Sequence, residues 1–204
     1  MKVYKLTDEN ARTHGDTQWG PGISHEAKPG DGELCSEYWI HAYEDPLLAV
    51  LHNPMHAAFY KPRLWEAEAE GEIKREGQLK LGCKKLTVLN EISLPELTIE
   101  QKVAYGIYAA LGVCKDKKFV KWAEKWLNGK DRSRETAWKM TGEMWAFWPA
   151  RAAAWAAWGA KKLMWENWAI ESSAWAAEAA EAWSADTAEN VNLLDCAKKA
   201  VQVS

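Results

Sequence analysis

Phenylalanine is scarce in this 204-residue sequence, with three copies against six tyrosines and fourteen tryptophans. Other features are missing too, and each absence closes off a class of protein. No charge is in surplus: 26 Lys and Arg face 29 Asp and Glu, a net charge of -3, whereas a general nucleic-acid binder carries a strongly basic balance. No apolar run is long and clean enough to cross a bilayer. The most apolar stretch, Met144 to Ala160, has Pro149 and Arg151 near its middle and tryptophans spread through it instead of belting its ends. No membrane partner is expected. The four cysteines, at 35, 83, 114 and 196, form no Cys-x-x-Cys pair. That spacing speaks against a zinc site, and a chain of this size does not need a disulfide framework. Reduced thiols in a cytoplasm are expected, since MKVYKLTDEN has no apolar leader core.

Catalytic signatures are missing as well. No Gly-x-Ser-x-Gly, phosphate-binding loop, His-Glu-x-x-His or dinucleotide fingerprint occurs. His52 and His56 stand four apart, but Pro54 lies between them and no carboxylate nearby completes a ligand set. Neither a metal nor a cofactor is expected.

What is present divides in two. Residues 1–97 read as a small α+β module. Met1–Leu6 has strand character, Glu33–Tyr43 suits a strand or strand pair, and Asp45-Pro46 opens a helix over LLAVL. In RLWEAEAEGEI, Trp65, Ala67 and Ala69 alternate with Glu66, Glu68 and Glu70, the period of a half-buried strand with a solvated acidic face. Gln78–Ile92 is the next strand, with a bulge expected at Gly82-Cys83. Residues 98–130 form a helical neck. Thr98 with Gln101 fits a capping box, Asp116 caps KKFVKWAEKWL, and Asn128-Gly129 ends it. Phe119, Trp122, Ala123 and Trp126 make one apolar stripe.

Residues 131–204 hold a ten-residue repeat: TGEMWAFWPA, RAAAWAAWGA, KKLMWENWAI, ESSAWAAEAA. Its first column is Thr141, Arg151, Lys161 and Glu171; its tryptophan columns are Trp145, Trp155, Trp165, Trp175 and Trp148, Trp158, Trp168. Ten residues turn an ideal helix by about 1000°, roughly 80° short of three turns. On one helix the indoles would therefore wind around the axis. Either long helices supercoil in an oligomer, or the segment breaks near Pro149 and Gly159 and folds back. Each buried indole is worth about 4–6 kcal/mol before entropy costs. A continuous helix from Arg132 to Trp183 would be about 78 Å long, more than one small globule can cover. The expectation is therefore an oligomeric bundle with those seven tryptophans in its seam. A basic segment, 115–139, and an acidic one, 163–204, favour antiparallel packing, and ENVNLLDCAKKAVQV closes the chain as an amphipathic helix.

Two groups of residues suit a small ligand. Alternation puts Trp39, His41 and Tyr43 on one side of a strand, a stacking and hydrogen-bonding surface for a planar base or sugar. Arg132 and Arg134 beside Trp138 could hold a phosphate and a ring.

ELCSEYWIHAYEDPLLAV, RLWEAEAEGEI, KFVKWAEKWLNGKDRS and the Ala/Trp repeats resemble a family of small, uncharacterised phage and prophage proteins. Its members pair an N-terminal α+β domain, bearing a Cys-x-x-x-Trp/Phe-x-His motif (here Cys35, Trp39 and His41), with an alanine-rich extension of variable length. The resemblance implies a phage accessory gene and supplies no catalytic residues. Together these readings give an α+β protein that is homo-oligomeric and non-enzymatic. It would counter host defence by sequestering a nucleotide-type immune signal in the cytoplasm of an infected bacterium. The alternative is a structural protein whose Trp-rich helices assemble and bind a host protein; a weaker one is an enzyme on a nucleotide with His41 as acid/base.

Overall fold

The computed structural model describes residues 1–160, 165–187 and 190–204; Lys161 of the repeat and Glu189 of the acidic tail lie outside them. The chain divides into two compact units, Met1–Pro95 and Glu96–Ser204. The first is an antiparallel sheet with one helix and the second is entirely helical, an α+β protein as composition and periodicity imply.

In the first unit, β1 (Lys2–Thr7), β6 (Arg63–Glu76), β7 (Lys80–Ile92) and β4 (Ser24–Glu26) lie in that order. The short β5 (Ile40–Ala42) shares the same edge of β7 as β4. Two shorter strands, β2 (Arg12–Thr13) and β3 (Thr17–Gln18), pair separately. Beyond β5, Tyr43 and Tyr4 exchange backbone hydrogen bonds of 2.8 and 2.9 Å, so the strand path returns to β1. The alternation in β6 is realised: Trp65, Ala67 and Ala69 are buried with Val3, Leu81, Leu86 and Val88, while Glu68 and Glu70 face solvent. Trp65 keeps its indole N–H satisfied by donating 2.9 Å to Thr7 Oγ1.

Two expectations need correction here. Of Glu33–Tyr43 only Ile40–Ala42 forms a strand, extended by the Tyr43 bridge to Tyr4; the residues before it form turns and bends. The bulge is not at Gly82-Cys83, which pair regularly with Lys74 and Ile73. The register instead shifts twice: on β7 at Leu89, opposite Glu66 and Ala67, and on β6 between Glu70 and Ile73, where Gly71 takes φ +78°, a conformation open to glycine without strain. The helix α1 (Pro46–His56) starts as read, with Asp45 Oδ1 accepting from Leu47 N at 2.8 Å.

The second unit comprises α2 (Ile99–Val113), α3 (Lys117–Leu127), α4 (Arg134–Glu143), α5 (Trp148–Gly159), α6 (Glu166–Asp186) and α7 (Leu193–Ala200). The Thr98–Gln101 capping box, the Asp116 cap and the left-handed Gly129 all form. In α3 the stripe of Phe119, Trp122, Ala123 and Trp126 is buried.

Of the two alternatives for the repeat, the structure takes the second, in which the segment breaks and folds back. It breaks before Trp148-Pro149 and after Gly159, and α5 and α6 pack on each other within one chain, with α2 against both. Alanine lines that core: Ala152, Ala153, Ala156, Ala169, Ala176, Ala177 and Ala180 are buried, while Trp155, Trp158, Trp168 and Trp175 are only half-buried. Helices that meet through methyl groups approach too closely to admit an indole between them. Within one chain the seven tryptophans expected in an intersubunit seam are not enclosed: Trp145 is 72% exposed, Trp148 and Trp165 are exposed, and the other four are half-buried.

Candidate functional site

The period-two alternation of β1 that buries Val3 and Thr7 also turns Lys5 inward. Its ammonium donates to the His41 carbonyl at 2.7 Å and lies 5.0 Å from the Trp19 ring centre. No carboxylate pairs with it among the described residues. Burial lowers the Lys5 pKa from 10.5 to about 8, because removing water penalises the charged form.

Lys5 borders a cavity of about 770 Å³, within the size range of small-molecule sites. Trp19, His25, His41, Tyr43 and His56 share its lining. His41 Nε2 lies 2.5 Å from the Leu34 carbonyl, so Nε2 carries the proton and Nδ1 is left as the acceptor. Burial pushes the His41 pKa down, with the charges of Lys5 and Lys80 adding to the effect, which favours the neutral ring. The Tyr43 hydroxyl lies 3.1 Å from His56 Nδ1, and the two rings stack with centres 5.9 Å apart. The Trp19 indole donates 2.9 Å to Thr13 Oγ1 and meets His25 edge-on. At the rim, Lys80 Nζ donates 3.1 Å to the exposed Cys35 thiol and pairs with Glu76 at 3.2 Å. Burial disfavours the Lys80 charge, yet these two partners hold its pKa above the ordinary lysine value.

The residues expected from the sequence fare unequally. Trp39, His41 and Tyr43 do come together on the cavity wall. Trp39, however, is not an open stacking platform: Lys84 Nζ covers its ring at 3.6 Å, and its indole donates 3.1 Å to the Gly32 carbonyl. Arg132 and Arg134 do not converge on Trp138. Arg132 stacks on Trp126 and donates to the Trp126 and Ser204 carbonyls at 2.9 and 2.8 Å. Arg134 stacks on Trp158 and donates 3.2 Å to its carbonyl, while Trp138 lies exposed with its ring 5.4 Å from that of Trp158. Both guanidiniums are thus engaged within the second unit, whereas the cavity belongs wholly to the first. Lys5 was not singled out from the sequence, although a lysine between Val3 and Thr7 on the inward face of an alternating strand is a readable signal.

The fold and cavity define an α+β protein with a cation- and histidine-lined pocket in its N-terminal sheet unit. Residues 1–100 match the family model described as a domain of unknown function (DUF7666), so the N-terminal domain is similar to that of an uncharacterised family. No curated protein and no solved structure matches the chain.

Proposed function

We propose that this chain is a non-enzymatic binding protein whose N-terminal cavity takes an anionic, ring-bearing small molecule of the nucleotide type. The observation that carries this reading is the buried Lys5 ammonium at a cavity of about 770 Å³, with no carboxylate beside it among the described residues. A buried charge without a counter-charge is costly, and an incoming oxyanion removes that cost. His41 Nδ1 and the Tyr43–His56 pair supply polar and planar contacts for the rest of the ligand. The resemblance to phage accessory proteins adds the setting: sequestration of a nucleotide-type immune signal in an infected cell.

The test is incubation with cyclic nucleotides and ADP-ribose derivatives, followed by heat release and chromatography. Recovery of one intact ligand is expected, and Lys5→Met should weaken its binding by about 10- to 100-fold, the worth of one charged hydrogen bond. Binding that Lys5→Met leaves unchanged, or no binding at all, overturns the reading; a chemically altered product makes the protein an enzyme.

A second reading, a structural protein that assembles through its Trp-rich helices and binds a host protein, is favoured by the outward-facing indoles alone.

A further inference from the structure

Six tryptophans of the helical unit are linked by ring contacts. Ring contacts run from Trp138 to Trp158, on to Trp165 and Trp168, then to Trp155 and Trp148, with centres 5.4–6.0 Å apart. Trp183 meets Phe147, the neighbour of Trp148, at 4.8 Å. The exposed fractions are 58% for Trp138, 72% for Trp145, 45% for Trp148, 38% for Trp165 and 44% for Trp183. At about 150–250 Å² per indole side chain, these five leave roughly 400–650 Å² of mostly apolar surface in water. A monomer's largest apolar patch is normally about 300–600 Å².

We propose that this indole face of α4, α5 and α6 is the contact through which two copies of the chain join. The inference builds on the assembly half of the second reading above and is independent of the cavity.

Area is the first argument. Each partner in a standard protein interface contributes about 800 Å². The five indoles supply most of that before the half-buried Trp155, Trp158 and Trp168 are counted.

Preorganisation is the second. The Arg134 and Arg151 guanidiniums lie 4.5 Å from the ring centres of Trp158 and Trp155, and steep interplanar angles of 81–86° lock neighbouring rings edge to face. Side chains already held in place lose little entropy on docking. A two-fold contact then sets ridges of indole into the grooves of an identical patch.

Charge is the third. Residues 134–187 carry five basic against seven acidic residues. That balance opposes nucleic-acid phosphates and anionic lipid. A second copy brings the same weak charge, and the whole chain, at -3, repels itself little.

The experiment is sedimentation velocity of the full chain across the micromolar range. Wild type should show a reversible monomer–dimer equilibrium, and acrylamide quenching of tryptophan emission should fall as concentration rises. Trp138→Glu combined with Trp145→Glu should weaken the dimer by at least about 100-fold, as loss of interface hot spots does. Because both rings are largely exposed, helical circular dichroism and the melting temperature should stay as in wild type, and ligand binding in the cavity should persist. Should the double variant unfold, the more conservative Trp145→Gln alone serves as the same test. Wild type sedimenting as a monomer throughout the range overturns the proposal, as does a dimer that the variants leave intact. A monomer that instead binds neutral phosphatidylcholine vesicles, or one defined host protein, through these indoles also overturns it.

Discussion

At the scale of single residues, Lys5 concentrates the chemistry of the N-terminal unit. Its burial has a thermodynamic signature with a definite sign. The folded-state pKa is about 8 against 10.5 in the open chain, so between those values the unfolded state binds more protons, and stability rises with pH. The buried thiols work in the opposite sense at higher pH: Cys83 and Cys196 are pushed from 9.0 up to about 11, so the folded state there holds protons that the unfolded state releases. Because the unfolded thiols already begin to ionise near pH 8, the Lys5 effect is read as a difference between variants. Urea titrations from about pH 7 to 9 should show a more positive slope of unfolding free energy against pH in wild type than in Lys5→Met; an equal slope in both would place the effect elsewhere. A bound anion should abolish that difference, because it holds Lys5 protonated. His41 illustrates how far one residue can be read from sequence alone. Its presence in a ring-rich segment marks it as a candidate, yet its proton position follows from the Leu34 carbonyl, seven residues away, which a turn places within 2.5 Å. Lys5 escapes a motif search because no motif contains it; its role comes from what lies across the sheet.

Among the elements, the contact of α2 with α6 shows what alanine and glycine accomplish in the helical unit. A Cβ added at Gly106 would stand 2.7 Å from Ser173 Oγ and 2.9 Å from the Ser173 carbonyl oxygen. Ser173 Oγ in turn donates to the Lys102 carbonyl and accepts from Gly106 N at 3.0 Å, a buried side-chain clasp between the helices. Gly106→Ala should therefore destabilise by about 1–3 kcal/mol through overpacking, more than the gain in helix propensity returns. Gly142 is the control, since nothing lies within 4 Å of its added Cβ on exposed α4. Gly142→Ala should stabilise by about 0.5–1 kcal/mol. Chemical denaturation of both variants checks the pair, and equal effects would refute the close approach. Several helix boundaries were legible because caps are local: Thr98 with Gln101, Asp116 and Gly129 each act on their own turn. The bulge expected at Gly82 was misplaced because only the cross-strand register shows that the shifts fall at Gly71 on β6 and at Leu89 on β7.

For the whole molecule, near-neutrality and a large indole surface act together. The sequence isoelectric point is about 6.0, so lowering the pH from 8 towards 6 removes the little electrostatic repulsion that keeps copies apart. The weight-average sedimentation coefficient at fixed concentration should rise as the pH falls over that range, and Trp138→Glu with Trp145→Glu should suppress the rise. A flat profile in wild type would show that charge does not gate the contact.

By itself the sequence determined whatever depends on neighbours within a turn or a pleat: the sheet-then-helix order, the caps, the acidic outer face of β6, and the absence of any described helix long and apolar enough to cross a membrane. It also marked Trp39, His41 and Tyr43 as belonging together, through simple alternation. Tertiary structure alone decided which face of the repeat turns inward. Hydrophobicity argues for burying the indoles, but two helices joined by a short break can bury only side chains that fit between their backbones. The alanines fit at the centre, and the tryptophans are left half-buried or exposed. Tertiary structure likewise placed Lys5 beside the His41 carbonyl, because the strand path returning from Tyr43 to Tyr4 joins segments that are distant in sequence.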